Sequence, residues 1–188
     1  MLRIQPITKD LNNSHIMEDL YTSAFPKRQQ MPLGHLMERT KLDAVRFNAY
    51  YDEDMFVGFS YTITYGDLTY VLYLATREDI RSKGYGSQIL NCIKEQYPNN
   101  RIALNLEAQD ETADNSEQRK KRRSFYLKNG YAPAGMLMKF INGDVVEVLI
   151  RDGTCTVDEF RALHKKYWGI FWFAIFGPRK YSDPSYSN

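Results

Sequence analysis

From Val45 the chain alternates. Val45, Phe47 and Ala49 recur at every second position, and after Asp52-Glu53-Asp54 the series Val57, Phe59, Tyr61 and Ile63 takes up the same beat. A period of two sends successive side chains to opposite faces of a strand, so the stretch predicts an antiparallel hairpin. Gly66-Asp67 predicts another turn, and Leu68 to Thr76 is apolar on both faces, as a strand in the middle of a sheet is. Ahead of these, Leu2, Ile4 and Pro6 predict a first strand, and Ile16, Leu20 and Ala24 mark one face of a helix. Phe25-Pro26 halts that helix, because the residue before proline is pushed out of the α region. A short second helix is expected over Leu33 to Thr40.

Beyond residue 86 the period becomes helical, with Gly86, Ile89, Leu90, Ile93 and Tyr97 on one face until Pro98-Asn99-Asn100. A strand is predicted at Arg101 to Glu107, then a charged helix at Asn115 to Asn129 with Gly130 as its left-handed stop. Tyr131 to Phe140 and Val145 to Ile150 form a predicted hairpin around Asn142-Gly143-Asp144, and a last helix is expected at Val157 to Tyr167. The order β-α-α-β-β-β-α-β-α-β-β-α, without repeat or linker, predicts one mixed α/β (α+β) sheet.

A chain of 188 residues is long enough to bury a core without disulfides or metal staples. Its 25 basic and 23 acidic residues are too evenly balanced to argue for nucleic acid or an anionic membrane as the main partner. Any such case has to rest on a local patch. Cys92 and Cys155 fall on separate predicted elements, and the opening Met1-Leu2-Arg3-Ile4-Gln5-Pro6 lacks the apolar stretch of a secretory signal. A reduced, cytoplasmic protein is expected. His15, His35 and His164 stand apart, with no carboxylate or thiol at a ligand spacing, so no metal is expected. The longest apolar run, Trp168 to Phe176, has about half the length of a membrane span, so no span is expected. It can pack on the domain, bury itself in a partner subunit or dip into a membrane surface, and it favours a homodimer. Polar Lys180 to Asn188 is expected to fray.

Candidate chemistry centres on Arg81-Ser82-Lys83-Gly84-Tyr85-Gly86, between the strand ending at Thr76 and a helix expected from Ser87 to Gln96. Glycines free of Cβ let backbone N–H groups turn toward an anion, and the helix that follows points its positive end at the same spot. That suits a pyrophosphate, with Arg81 and Lys83 adding charge. The dinucleotide fingerprint does not fit, since Ile89 stands where its third glycine belongs, and no phosphate-loop motif ending in Gly-Lys-Ser/Thr occurs.

Arg-x-x-Gly-x-Gly after an apolar strand, followed roughly forty residues later by Phe125-Tyr126-x-x-x-Gly130-Tyr131, resembles the GNAT superfamily of acetyl-CoA-dependent N-acetyltransferases. Ala24-Phe25-Pro26 and Val57-Gly58-Phe59 are also typical of its bacterial members, and the resemblance runs loosely from the first strand to about Ile150. It implies the acyl-CoA N-acyltransferase fold, a mostly antiparallel sheet flanked by helices, over residues 1–167, with an aromatic tail at 168–188. It also implies that backbone amides of Arg81, Ser82, Lys83, Gly84, Tyr85, Gly86 and Ser87 bind the coenzyme A pyrophosphate. Leu74, Ala75 and Thr76 would pair with the pantetheine arm as with another strand, and the strand at 101–107 would splay away to admit the thioester. Tyr126 takes the place of the tyrosine that protonates the departing thiolate.

The amine must lose a proton, and Glu107, ending its strand, is the candidate base, with Asp110 and Glu111 nearby. The strand Leu68 to Thr76, where some members place the base, has no acidic residue. Arg119 replaces the asparagine that many relatives carry seven residues before the tyrosine. Arg119, Arg122 and Tyr126 share one helical face, so the run Arg119 to Arg123 either reaches phosphates or an acidic acceptor, or is a solvated face. Cys92, inside a predicted helix, is a poor nucleophile, which favours direct attack. The expected reaction moves acetyl from acetyl-CoA to a primary amine, with a small molecule as acceptor. A protein N-terminus or lysine is the alternative within this class, and a non-catalytic acyl-CoA or nucleic-acid binding module is the alternative outside it. Near-neutral charge and the lack of a nucleic-acid motif argue against nucleic acid.

Overall fold

In the computed structural model, residues 1–8 and 14–182 are described. They form β1 (Arg3–Pro6), α1 (Ser14–Ala24), α2 (Leu33–Arg39), β2 (Val45–Asp52), β3 (Met55–Tyr65), β4 (Leu68–Thr76) and α3 (Tyr85–Gln96). There follow β5 (Arg101–Glu107), α4 (Ser116–Lys128), β6 (Ala132–Lys139), β7 (Val145–Arg151), α5 (Val157–Trp168), α6 (Ile170–Phe176) and β8 (Arg179–Tyr181). The strands make one sheet in the order β1-β2-β3-β4-β5-β7-β6-β8. The registered pairs β1–β2, β2–β3, β5–β7, β6–β7 and β6–β8 are all antiparallel. The chain divides into two compact units, Met1–Ile63 with Val71–Pro98, and Thr64–Tyr70 with the residues from Asn99 onward.

In the first unit the predicted hairpin closes at a turn where Glu53 takes φ 53, and Val45 faces Ile63 across it. Phe47, Phe59 and Tyr61 point into an aromatic cluster with Tyr21, Phe25 and Tyr73, whose ring centroids lie 4.8–6.4 Å apart. Such tilted and edge-on pairs add about 0.5–1.5 kcal/mol each beyond simple burial. Two expectations shift. The face α1 buries is Met17, Leu20 and Tyr21, with Ile16 only half-buried. β1 pairs on one side only, so Ile4 is exposed while the flanking Leu2 and Ile7 are buried.

In the second unit α5 starts with a capping box, the Thr156 hydroxyl accepting from the Glu159 N–H while the Glu159 carboxylate accepts from the Thr156 N–H. The same carboxylate meets Arg101 at 2.9 Å, and this guanidinium also grips Asp67 at 2.7 and 3.0 Å. The last predicted helix ends one residue late, at Trp168, and Gly169 at φ 77 turns the chain into the additional helix α6. β8 then pairs with β6, Leu137 opposite Tyr181, so residues 179–181 are a paired strand rather than a frayed end. Three residues with no alternation carry no strand signal. Of the segment expected to fray, residues 183–188 lie outside the described residues.

His164 lies in the core of this second unit among Tyr70, Phe140 and Phe160. Its Nδ1 donates to the Phe160 carbonyl at 2.8 Å, and its buried Nε2 has no partner among the described residues. Burial pushes its pKa down to about 4, so the folded ring stays neutral where the unfolded ring, near 6.5, takes up a proton. Stability present above pH 6.5 is therefore lost as pH falls toward 4. From pH 7 to pH 5 this one group removes about 2 kcal/mol. Urea denaturation at both pH values is expected to show that drop in the wild type and a smaller one in His164→Leu; equal drops would mean that the ring does not control acid stability.

Candidate active site

β4 delivers the chain to the glycine turn in the first unit. The Arg77 N–H donates to Val57 O at 3.0 Å, and its guanidinium holds Asp79 at 2.6 and 3.1 Å across the single turn Glu78–Ile80. Ser82 at φ 66 and Gly84 at φ 83 then reverse the chain, and α3 begins at Tyr85, two residues before the expected start. The helix starts early because left-handed Gly84 already acts as its N-cap. The first helical donor is Gln88 N–H to Gly84 O at 3.1 Å, which leaves the Tyr85, Gly86 and Ser87 N–H groups without acceptors inside the helix. Residues 81–84 are exposed. Lys83 stands beside these donors, whereas Arg81 is held by Glu78 at 2.8 Å, so part of its charge is already met.

Two features of this turn were not legible in the sequence. Ser82 adopts a left-handed conformation without being glycine. The Tyr85 hydroxyl donates to Asp52 Oδ2 at 2.7 Å, pinning the first helical residue to the end of β2, and this bond raises the phenol's pKa. No local pattern could reveal a partner so distant in the chain. Leu74, Ala75 and Thr76 sit at the end of β4, Ala75 buried and its neighbours half-buried. Gly58 on β3 allows their close approach, since a Cβ there would overlap the Ala75 carbonyl oxygen and come within 3.1 Å of Thr76 Cα and Ile89 Cδ1.

The segment from Phe25 to Thr40 is tied down from within the same unit. The Tyr73 hydroxyl donates to Gln29 O at 2.7 Å, and Tyr21 OH donates to Met31 O at 3.0 Å while accepting from the Met31 N–H at 2.8 Å. Gln30 Nε2 donates to Phe25 O and Thr22 O at 2.7 and 3.1 Å. The apolar run Leu68 to Thr76 put Tyr73 in a central strand, but Tyr21 lay off the expected helical face, and neither residue gave a sign of this role.

In the second unit α4 presents Tyr126, buried against Phe125 and Tyr131 with ring centroids 5.0 and 5.7 Å away. Burial raises its pKa to about 12 despite the opposing pull of Arg122, so the phenol keeps its proton at neutral pH. Glu107 is nearly enclosed at the end of β5, with Arg119 at 3.6 Å, Arg122 at 3.7 Å and Asn115 Nδ2 at 3.4 Å from its oxygens. Arg119 also donates to Ala108 O at 2.7 Å and Asn115 Oδ1 at 2.8 Å. Arg123 grips Glu147 on β7 at 2.8 and 3.1 Å, a carboxylate only 1% exposed. Three of the five cations in the run 119–123 thus brace α4 against strand carboxylates, and a solvated face describes only the rest. Asp110 caps its own turn through Thr112, and Glu111 is exposed.

Cys92 and Cys155 are both buried, and burial raises both thiol pKa values, so neither is a ready nucleophile. Among the described residues no group of three or more His, Cys, Asp or Glu side chains could hold a metal ion. No helix among them is long and apolar enough to cross a membrane.

Residues 43–133 match the family model of the acetyltransferase (GNAT) domain. No curated protein matches the chain. Among solved structures, a protein of Bacteroides thetaiotaomicron described as a GNAT-family acetyltransferase is similar over 93% of this chain and 98% of its own, with TM-score 0.71 and 22% identity. An aminoglycoside 6'-N-acetyltransferase complexed with coenzyme A is similar over 79% and 96%, with TM-score 0.61 and 20% identity. The ribosomal-protein-S18-alanine N-acetyltransferase of Escherichia coli is similar over 83% and 96%, with TM-score 0.59 and 13% identity. At these identities the likeness to the solved structures is one of fold.

Proposed function

We propose that this chain, which belongs to the GNAT superfamily of acetyltransferases, moves the acetyl group of acetyl-CoA onto a primary amine of a small molecule by direct attack, in the cytoplasm. The observation that carries the reading is the turn at 82–87, where two left-handed residues feed a helix start whose Tyr85, Gly86 and Ser87 N–H groups lack helical acceptors. These donors, with Lys83 beside them, fit a diphosphate. Leu74, Ala75 and Thr76 are assigned to the pantetheine arm, and the amides of Arg81, Ser82 and Gly84 complete the cradle.

Acetyl-CoA supplies the activated acyl group as a thioester. The amine nitrogen bonds to the acyl carbon, the carbon–sulfur bond breaks, and the amine gives up a proton. Tyr126 holds its own proton against ionisation and hands it to the leaving sulfur. Glu107 takes the proton the amine loses, released for this from Arg119 and Arg122. The small-molecule acceptor is supported by the anchoring of the segment Phe25 to Thr40 through Tyr21 and Tyr73, because a fixed wall suits a closed pocket better than an open peptide groove.

Gly84→Val tests the cradle. Among the described residues no atom lies within 4 Å of a Cβ at this position, so the fold tolerates the side chain, while φ 83 strains it by about 1–2 kcal/mol and deforms the turn. Calorimetry is expected to show acetyl-CoA affinity reduced about tenfold or more in a protein that still folds, its melting temperature lowered by about 2–8 °C; undiminished affinity would remove the cradle. A thiol-release screen with small amines and peptides identifies the acceptor, and turnover with peptides alone would overturn the small-molecule assignment.

Glu107→Gln separates a base from a brace. As base, its loss costs about tenfold or more in kcat/KM near pH 6–7, where amines are protonated, and less at pH 9. A lowered melting temperature with an unaltered pH profile would assign it to bracing alone.

A further inference from the structure

The chain after residue 159 builds a surface outside the residues assigned above to acetyl transfer. α6, with the sequence Ile-Phe-Trp-Phe-Ala-Ile-Phe, is apolar at every position and fully buries none of them. Ile170 is 76% exposed, Phe171 70%, Trp172 49% and Ile175 40%. A helix apolar all round is ordinarily covered on every side. Trp172 stacks on Phe176 at 5.6 Å, Trp168 lies against the same ring, and the Arg161 guanidinium sits 5.4 Å from the Phe173 ring. One side of α6 is thereby anchored, and Ile170, Phe171 and Ile175 are held outward.

Between Glu159 and Asp183 its charged neighbours have one sign. From Phe160 to Ser182 the sequence holds Arg161, Lys165, Lys166, Arg179 and Lys180 and no Asp or Glu. Lys165 and Lys166 are exposed in the last turn of α5, just before α6, and Arg179 and Lys180 are exposed just after it. Lys139 joins them opposite Arg179, its ammonium 5.7 Å from the Tyr181 ring. The acidic groups on the adjoining elements are elsewhere engaged or at the far end. Asp158 and Glu159 open α5 at its other end, and Asp144 in the β6–β7 turn accepts from Asn142 at 3.2 Å.

We infer that this face seats on an anionic lipid bilayer, with α6 lying in the interface, its aromatic and aliphatic side chains among the headgroups and the flanking cations on lipid phosphates. Charge selects this covering over a second copy of the chain. Two copies joined through the same face by a two-fold axis would bring the same cations together, whereas an anionic surface neutralises them. Apolar anchors ringed by Lys and Arg make the two-signal combination that holds a protein on a membrane without spanning it. None of these residues belongs to the glycine turn or to the surroundings of Tyr126, so this inference and the acetyl-transfer reading fail independently.

The full chain is tested by sedimentation with vesicles of phosphatidylcholine alone and with about 30 mol% phosphatidylserine, enough to give a negative surface potential. The chain's two tryptophans, Trp168 and Trp172, both lie in this segment, so unlabelled protein reports insertion by a blue shift of its emission. Partitioning is expected to be about tenfold or more stronger onto the anionic vesicles, with the shift, and to weaken about tenfold or more in Lys165→Glu/Lys166→Glu. Ile170→Ser/Phe171→Ser is expected to lose the shift and most of the binding while melting like the wild type. Equal partitioning onto both vesicles, or undiminished binding by both variants, overturns the inference. So does a dimer in sedimentation velocity that Ile170→Ser/Phe171→Ser dissociates, because a second copy would then cover the face.

Discussion

Gly58→Ala is expected to destabilise the fold by about 3 kcal/mol, the upper end of what overpacking costs, because the obstacle is backbone rather than a side chain that can move aside. The new Cβ would overlap the Ala75 carbonyl oxygen and press on Thr76 Cα and Ile89 Cδ1 at 3.1 Å, so three elements would have to give at once. Alanine's lower unfolded-chain entropy returns about 0.4–1 kcal/mol at best, which leaves the clash dominant. In a domain of this size the net loss, about 2–2.6 kcal/mol, should lower the melting temperature by roughly 4–10 °C. Gly58→Val should lower it further. A melting temperature within about 2 °C of the wild type in Gly58→Ala would show that β3 and β4 separate easily there. Since Ala75 and Thr76 are assigned to the pantetheine arm, acetyl-CoA affinity should fall in whatever Gly58→Ala protein remains folded.

Tyr126→Phe is expected to lower turnover by a factor on the order of ten to a thousand, with acetyl-CoA affinity nearly intact. The variant keeps the ring, and with it the contacts to Phe125 and Tyr131, so the fold should be undisturbed. What it removes is a proton held by a phenol whose pKa burial has raised to about 12. A group of that pKa stays a donor through the whole neutral and mildly alkaline range. Wild-type turnover should therefore show no alkaline fall assignable to this tyrosine below about pH 11. Unchanged turnover in Tyr126→Phe would remove the residue from the mechanism, and a lowered melting temperature with normal turnover would make it a core residue only.

Periodic elements were legible because their signals are local. The hairpin of β2 and β3, the central position of β4 and the bounds of β5 and α4 follow from apolar spacing and from turn residues such as Gly66 and Gly130. α6 and β8 were not foreseen, the helix because an unbroken apolar run has no period and the strand because three residues are too few to alternate. The bracing role of Arg119, Arg122 and Arg123 was equally hidden. A basic run on a helix reads the same whether it faces water or the carboxylates of Glu107 and Glu147 on other strands.

The sequence by itself determined the order of elements as far as α5, the site of the glycine turn before a helix, and the kinship that names acetyl transfer, since each is written in neighbouring residues or in a short ordered motif. Tertiary structure alone decided which groups meet: Tyr85 with Asp52, Glu107 with two arginines, Gly58 with the backbone of β4, and Tyr21 and Tyr73 with the segment they hold. It also left α6 uncovered while folding β8 back onto β6. The physical reason is the reach of the forces involved. Dihedral preference and periodic burial act within a turn or two of chain, whereas ion pairs, hydrogen bonds and close contacts depend on distances that exist only once the sheet has formed.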